Sequence, residues 1–147
     1  MSATHNDDRT AIIDQTIAYC WAIDERNWPA LHDIFLPGAT AELGNGTENG
    51  INAIVARISG VLNPLDSSQH LVCNHQVAVN GDTATSRCYL QAQHVRRNAQ
   101  NGRNYLVAGR YEDSWARTPQ GWRVAHRRLV VMWTDGNSRV VWGDESG

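Results

Sequence analysis

Residues 19–24 read Tyr19-Cys20-Trp21-Ala22-Ile23-Asp24 and close the first helical pattern of the chain. Through this pattern Ile13, Ile17, Cys20 and Asp24 recur at three and four residues, with Ile12, Thr16, Tyr19 and Ile23 alongside. The spacing predicts a helix from about Asp8 to Asp24 whose apolar stripe ends in a carboxylate, with Asp14, Gln15 and Glu25 facing out. A charge taken out of water needs a partner, because burying it unpaired is costly. The chain offers one in His70, which stands at the start of the first long stretch of period two.

Outward from that helix, a second short helix is expected at Trp28 to Phe35, stopped by Pro37-Gly38, and then a short strand from Ala39 to Leu43. Asn49-Gly50 opens a third helix through Ile51, Ile54, Val55, Ile58 and Val61-Leu62, which Asn63-Pro64 ends. The period then changes to two, and four strands are expected near His70–Val79, Thr83–Arg96, Tyr105–Arg117 and Trp122–Trp133. Their turns are marked by Asn80-Gly81-Asp82, by the run from Asn98 to Gly102 and by Pro119-Gln120-Gly121. Three helices followed by an antiparallel meander is an α+β layout, in which a curved sheet wraps the helices and leaves a pocket. One domain is expected over residues 1–147, with 1–7 and 136–147 flexible or peripheral and a short edge strand possible at Arg139–Trp142.

Composition narrows the classes. At 147 residues, 41% apolar and 19% charged, the balance is that of an ordinary globular domain. A net charge of -2 gives no electrostatic case for nucleic acid or an acidic membrane as partner. All thirteen cationic side chains are arginine. Cys20, Cys73 and Cys88 form no CxxC pair and read as reduced thiols. The six histidines contain neither HxH nor HExxH, and GxGxxG and P-loop patterns are absent, so neither a metal nor a nucleotide cofactor is expected. Met1 to Asp8 is polar and acidic and no apolar run approaches the length of a membrane span, which leads to the expectation of a cytoplasmic protein.

Several short patterns are spread over nearly the whole chain: Tyr19-x4-Asp24, Leu31-x2-Ile34-Phe35 running into Pro37-Gly38-Ala39-Thr40, and Gly50-x2-Ala53-Ile54. After these come His70-x3-Asn74, Val79-x-Gly81-Asp82-x-Ala84, Gly109-x-Tyr111-x-Asp113 and Gly121-Trp122-Arg123-Val124. Their order and spacing resemble the NTF2-like superfamily and, within it, the SnoaL-like branch. The resemblance implies a cone of three N-terminal helices on a curved, mostly antiparallel sheet. In the dehydratase and dehydrochlorinase members a helix-end Asp pairs with a His on the first long strand, and Asp24 and His70 match those positions. Tyr19 matches a tyrosine five residues before that aspartate in the bile-acid dehydratases. The arginine of their last strand falls near Val131 here, a departure that leaves substrate identity out of reach. In the ketosteroid-isomerase members the base would fall on Leu43, and the Asp-Arg-Asp set of the epoxide hydrolases is not assembled.

The resemblance implies Asp24, His70 and Tyr19 as catalytic residues of a cofactor-independent lyase or isomerase acting on a small, mostly apolar, hydroxylated or cyclic molecule. An imidazole oriented by a carboxylate is a base active near neutral pH. Asn74, sharing a face with His70 by period two, and His94, His126 and Arg128, alternating along strands, are candidate substrate-binding residues, with Trp133 at the mouth. His75 is expected on the opposite strand face from His70. A structural role for Asp24, bound to backbone or to Arg26, stands beside this reading. So do a non-catalytic ligand binder, an assembly subunit, and an isomerase-like or cyclase-like enzyme. A small-molecule substrate and a homodimer or homotrimer are the expected partners, the open sheet face needing cover.

Overall fold

The computed structural model describes residues 3–143. Helix α1 (Ala3–Asp24) begins earlier than the sequence pattern suggests, so residues 3–7 belong to a helix; residues 1–2 and 144–147 of the expected peripheral segments lie outside the described residues. Its first turns are tied down at Asp8, whose carboxylate accepts hydrogen bonds from Arg117 Nη1 and Nη2 (2.8 and 2.9 Å) and from Trp122 Nε1 (3.1 Å). The buried stripe runs through Ile12, Thr16, Tyr19 and Ile23, while Ile17 is 39% exposed. The burial axis is thus rotated slightly from the one through Ile13 and Ile17.

After α1 the expected short helix is a 3-10 helix (Trp28–Asp33), and it ends at Asp33 and not at Phe35. Pro29 stands in its first turn, and Val124 N donates to the Ile34 carbonyl (2.8 Å), drawing the next residues into the sheet. Phe35 therefore begins strand β1 (Phe35–Glu42) and does not end a helix. Strand β2 (Glu48–Asn49), helix α2 (Ile51–Leu62) and the long strands β3 (Ser67–Asn80), β4 (Thr83–Val95), β5 (Asn104–Thr118) and β6 (Gly121–Gly136) follow. Arg139–Trp142 is a short helix, α3, and not an edge strand. The six strands form one sheet in the order β2-β1-β6-β5-β4-β3, antiparallel except for β1 against β6. The α+β class is as expected. Among the described residues no helix is long and apolar enough to cross a membrane.

Three one-residue irregularities decide which side chains face the helices. A register shift between Cys73 and Gln76, with Asn74 at φ 58°, inverts the alternation of β3, so His75 and not Asn74 continues the face of His70. On β6 the register passes from Trp115↔Val124 to Ser114↔His126, leaving Ala125 as the extra residue. Arg127, Leu129 and Val131 then face inward, with His126 and Arg128 on the other side. A second shift, between Gly109↔Val131 and Ala108↔Trp133, turns Thr134 in and Trp133 out. Such bulges insert one residue against none on the partner strand and so reverse the period-two phase.

The core packs Ile12, Ile23, Leu31, Phe35, Ile54, Trp115 and Val124 at 2% exposure or less. Among them lies the guanidinium of Arg127, fully buried and joined to Asp113 by two hydrogen bonds of 2.8 and 2.7 Å. Its Cζ stands 4.3 Å from the Tyr19 ring centroid and 4.2 Å from that of Tyr111. The ring faces supply the negative potential that water would otherwise provide. Although burial opposes the charge, the Asp113 carboxylate prevails and keeps Arg127 protonated. Removing one partner strands the other in the core, so Arg127→Met or Asp113→Asn is expected to cost about 3–5 kcal/mol. The double variant Arg127→Met/Asp113→Asn should cost less than the sum of the singles. Urea denaturation of the four proteins measures this coupling, and additive costs would contradict it.

Candidate active site

Asp24 ends α1 with its carboxylate turned toward β3. Oδ2 accepts the backbone N–H of His70 (2.8 Å), and Oδ1 accepts the Ser68 hydroxyl (3.0 Å) and His70 Nδ1–H (2.6 Å). The His70 side chain is 7% exposed and that of Asp24 18%. Arg26, at φ 59°, folds its guanidinium back over the helix end, with Nη1 donating to the carbonyls of Ile23 (2.8 Å) and Asp24 (3.3 Å) and to Ser68 Oγ (2.8 Å). Arg26 thus caps the helix and holds Ser68, and at Asp24 it bonds the carbonyl and not the carboxylate. Burial raises the Asp24 carboxyl, but the hydrogen bonds from His70 and Ser68 and the charge of His70 outweigh it and hold it below the ordinary range. Since Nδ1–H is given to the carboxylate, Nε2 is the nitrogen that His70 has left for the cavity it lines.

That cavity measures about 170 Å³. Tyr19 and Ile23 from α1 and Ile58, Val61 and Leu62 from α2 form one side of it. The sheet supplies Leu90, Ala92 and His94 from β4, Val107 and Tyr111 from β5, and Leu129 and Val131 from β6. Tyr19 is 2% exposed and meets Phe35 and Tyr111 edge to face at centroid distances of 5.9 and 5.8 Å. Burial raises its pKa, with Arg127 opposing, so the phenol stays protonated and can only donate or accept as a neutral group. His94 packs edge to face on His70 at 5.8 Å, and its Nδ1–H donates to the Tyr105 carbonyl (3.1 Å). Burial, followed by the charge of His70, pushes His94 down to about 4, which makes it a neutral imidazole near pH 7.

The structure therefore brings Tyr19, Asp24, His70 and His94 together. It does not bring the other four expected binding residues to this cavity. Asn74 lies at the β3 bulge against Gln76, Arg87 and Arg110, on the far face of the sheet. His126 is held by Thr40 through Nδ1 (2.5 Å) and by Glu42 through Nε2 (3.0 Å). Arg128 pairs with Glu112 at 3.3 Å, and Trp133 is 49% exposed on the outer face. Each falls out of the site through the bulges described above. His75, expected on the face away from His70, shares its face instead; burial, then the charge of Arg9, lowers its pKa. Ser68, Arg57, Tyr105 and Arg127 are site or support residues that the sequence reading passed over, and Tyr111, read there only as part of the fold pattern, lines the cavity. Ser68 carried a signal, standing two residues before His70 and so on its face; the others became visible only with the register.

Comparison with known proteins agrees with this architecture. The chain belongs to the SnoaL-like domain family, which residues 4–128 match, and its fold is that of the NTF2-like superfamily. An uncharacterized protein of Mycobacterium tuberculosis, Rv2910c, is 33% identical over 131 residues, covering 86% of this chain and 87% of that protein. A candidate aromatic ring hydroxylase from Novosphingobium aromaticivorans is 28% identical, with a TM-score of 0.82 and coverage of 92% and 96%. A candidate scytalone dehydratase from the same organism superposes with a TM-score of 0.82 at 20% identity, covering 92% and 91%. A type 2 hexachlorocyclohexane dehydrochlorinase, LinA, gives a TM-score of 0.79 at 19% identity, covering 89% of each chain. At those last identities the likeness is one of fold.

The two titrating groups beside the cavity predict how stability responds to pH. His94 is harder to protonate folded than unfolded, so its contribution is full above the ordinary imidazole value of about 6.5 and is lost as pH falls toward about 4. Asp24, with a depressed pKa, stabilises above the ordinary carboxyl value of about 3.9 and loses that contribution as pH falls through its folded pKa. Urea titrations of the wild type should lose stability between pH 6.5 and 4, and His94→Gln should flatten that part of the profile. An unchanged slope in the variant would place the titration elsewhere.

Proposed function

We propose that the protein is a cofactor-independent lyase of the dehydratase or dehydrohalogenase type, with His70 as general base, Asp24 as its orienting carboxylate and Tyr19 as a donor. The observation that carries this reading is the double engagement of His70 by one carboxylate, through the backbone N–H and Nδ1. It fixes the ring tautomer and aims the basic nitrogen at an apolar cavity. His70 Nε2 would take a proton from carbon beside the leaving group. The C–H electron pair becomes the new double bond, and hydroxide or halide departs with the pair of the broken bond. Asp24 stabilises the imidazolium, as a buried carboxylate does for a catalytic histidine in hydrolases. The Tyr19 hydroxyl, kept protonated, can donate to a departing oxygen or a developing enolate. The dehydratase and dehydrochlorinase among the structural neighbours carry such names on the same fold.

A second reading, a non-catalytic ligand binder or assembly subunit, rests on the fold, which hosts binding modules as well as enzymes. The leucine at position 43 lines the cavity where an isomerase-like base would stand, which speaks against that variant. Self-association as a homodimer or homotrimer fits the exposed Leu71, Tyr89, Met132 and Trp133.

The test is a panel of hydroxylated and halogenated cyclic compounds, followed by alkene absorbance and halide release. Turnover of any member should fall about 10²–10⁴-fold in His70→Gln. Asp24→Asn should fall by a comparable factor, because the amide no longer imposes the Nδ1–H tautomer. In ¹⁵N spectra of the wild type, His70 should appear as Nδ1–H, and the preference should weaken in Asp24→Asn. Turnover indifferent to His70→Gln would sink the lyase reading and leave the binding role.

A further inference from the structure

Among the described residues that line the cavity, Arg57 is the one with a permanent charge, and no Asp or Glu side chain lines it. Arg57 stands on α2 beside Ile58 and four residues before Val61, so its stem follows the apolar wall while its head reaches the opening. The side chain is 23% exposed, touching both cavity and solvent, and its Cζ lies 5.8 Å from the ring centroid of Trp142, itself 53% exposed on α3. These two residues form the mouth. The guanidinium has five donors, of which Nη2 holds the Leu43 carbonyl at 3.2 Å. Glu48 Oε1 makes an ion pair with Nη1 at 3.9 Å, longer than a hydrogen bond, so it partly balances the charge without taking a donor. At Gly44 an added Cβ would come within 3.6 Å of Nη2, so the glycine keeps this side of the arginine uncovered.

We infer that Arg57 determines specificity: the cavity takes a molecule with a single six-membered ring inside and a carboxylate at the mouth. An apolar cavity of roughly 150 Å³ accommodates benzene. At about 170 Å³ this one therefore holds one substituted ring, and any charged group must sit toward the opening. Arginine matches a carboxylate through two parallel N–H···O bonds, and the indole of Trp142 shields that contact from water. The inference deepens the proposed function by giving its substrate class, and it rests on that reading for the cavity being the substrate site.

Calorimetric titration of the full chain with 3-phenylpropionate and with its neutral isostere 3-phenylpropionamide tests it. The wild type should bind the carboxylate at least about tenfold tighter than the amide, the lower range for a hydrogen bond to a charged group. Arg57→Met should abolish that preference by weakening the carboxylate far more than the amide, and Arg57→Lys should restore part of it. His70→Gln should retain it. Equal affinity for the two compounds, no carboxylate binding at millimolar concentration, or a preference lost with His70 and not with Arg57 would each overturn the assignment. A failed lyase reading shows itself separately, as turnover that ignores His70.

Discussion

The Asp24 carboxylate joins the end of one helix to the edge strand of the sheet, and the geometry of the cavity depends on that joint. A negative charge is poorly placed at a helix C-terminus, where the aligned peptide dipoles already leave partial negative charge. Three donors compensate it: the backbone N–H of His70, its ring N–H and the Ser68 hydroxyl. Arg26 adds a positive charge over the exposed carbonyls of the last turn. Position on the helix, and not only proximity, therefore makes the carboxylate depend on the strand that supplies its donors.

Two arginines show how the fold uses one side chain for opposite purposes. Arg127 is enclosed, neutralised by Asp113 and sandwiched by aromatic rings that belong to the cavity wall. It reaches no ligand, but Tyr19 and Tyr111 cannot shift without losing their contact with it. Arg57 is half-committed, with one carbonyl bond and a distant carboxylate, on the border between apolar cavity and water. The first fixes the floor of the pocket, and the second leaves donors free at its rim.

How much of this was legible in the sequence follows from where periodicity is kept. The α+β class, α2 and the four long strands could be read because hydrophobic spacing and turn residues agree along them. Asp24, His70 and Tyr19 could be placed because matched motifs fix their positions, and His94 because β4 runs without a bulge. Asn74, His126, Arg128 and Trp133 were misplaced because β3 and β6 each break phase, and a bulge of one residue carries no strong composition signal. At Ala125 nothing in the letters marks the extra residue, yet it exchanges Arg127 for His126 at the inner face. The early short helix was expected to run to Phe35 because Leu31, Ile34 and Phe35 keep helical spacing, although it ends at Asp33 and Phe35 opens a strand.

The bulge in β3 has a bearing on solubility. That strand is fourteen residues long and lies at the edge of the sheet, where a flat row of unpaired peptide groups would serve as a template for another chain. The left-handed turn at Asn74 breaks the row near its middle, so neither half presents a long uninterrupted ladder. One irregular residue thus guards the chain against edge-to-edge aggregation while it resets which histidines look inward.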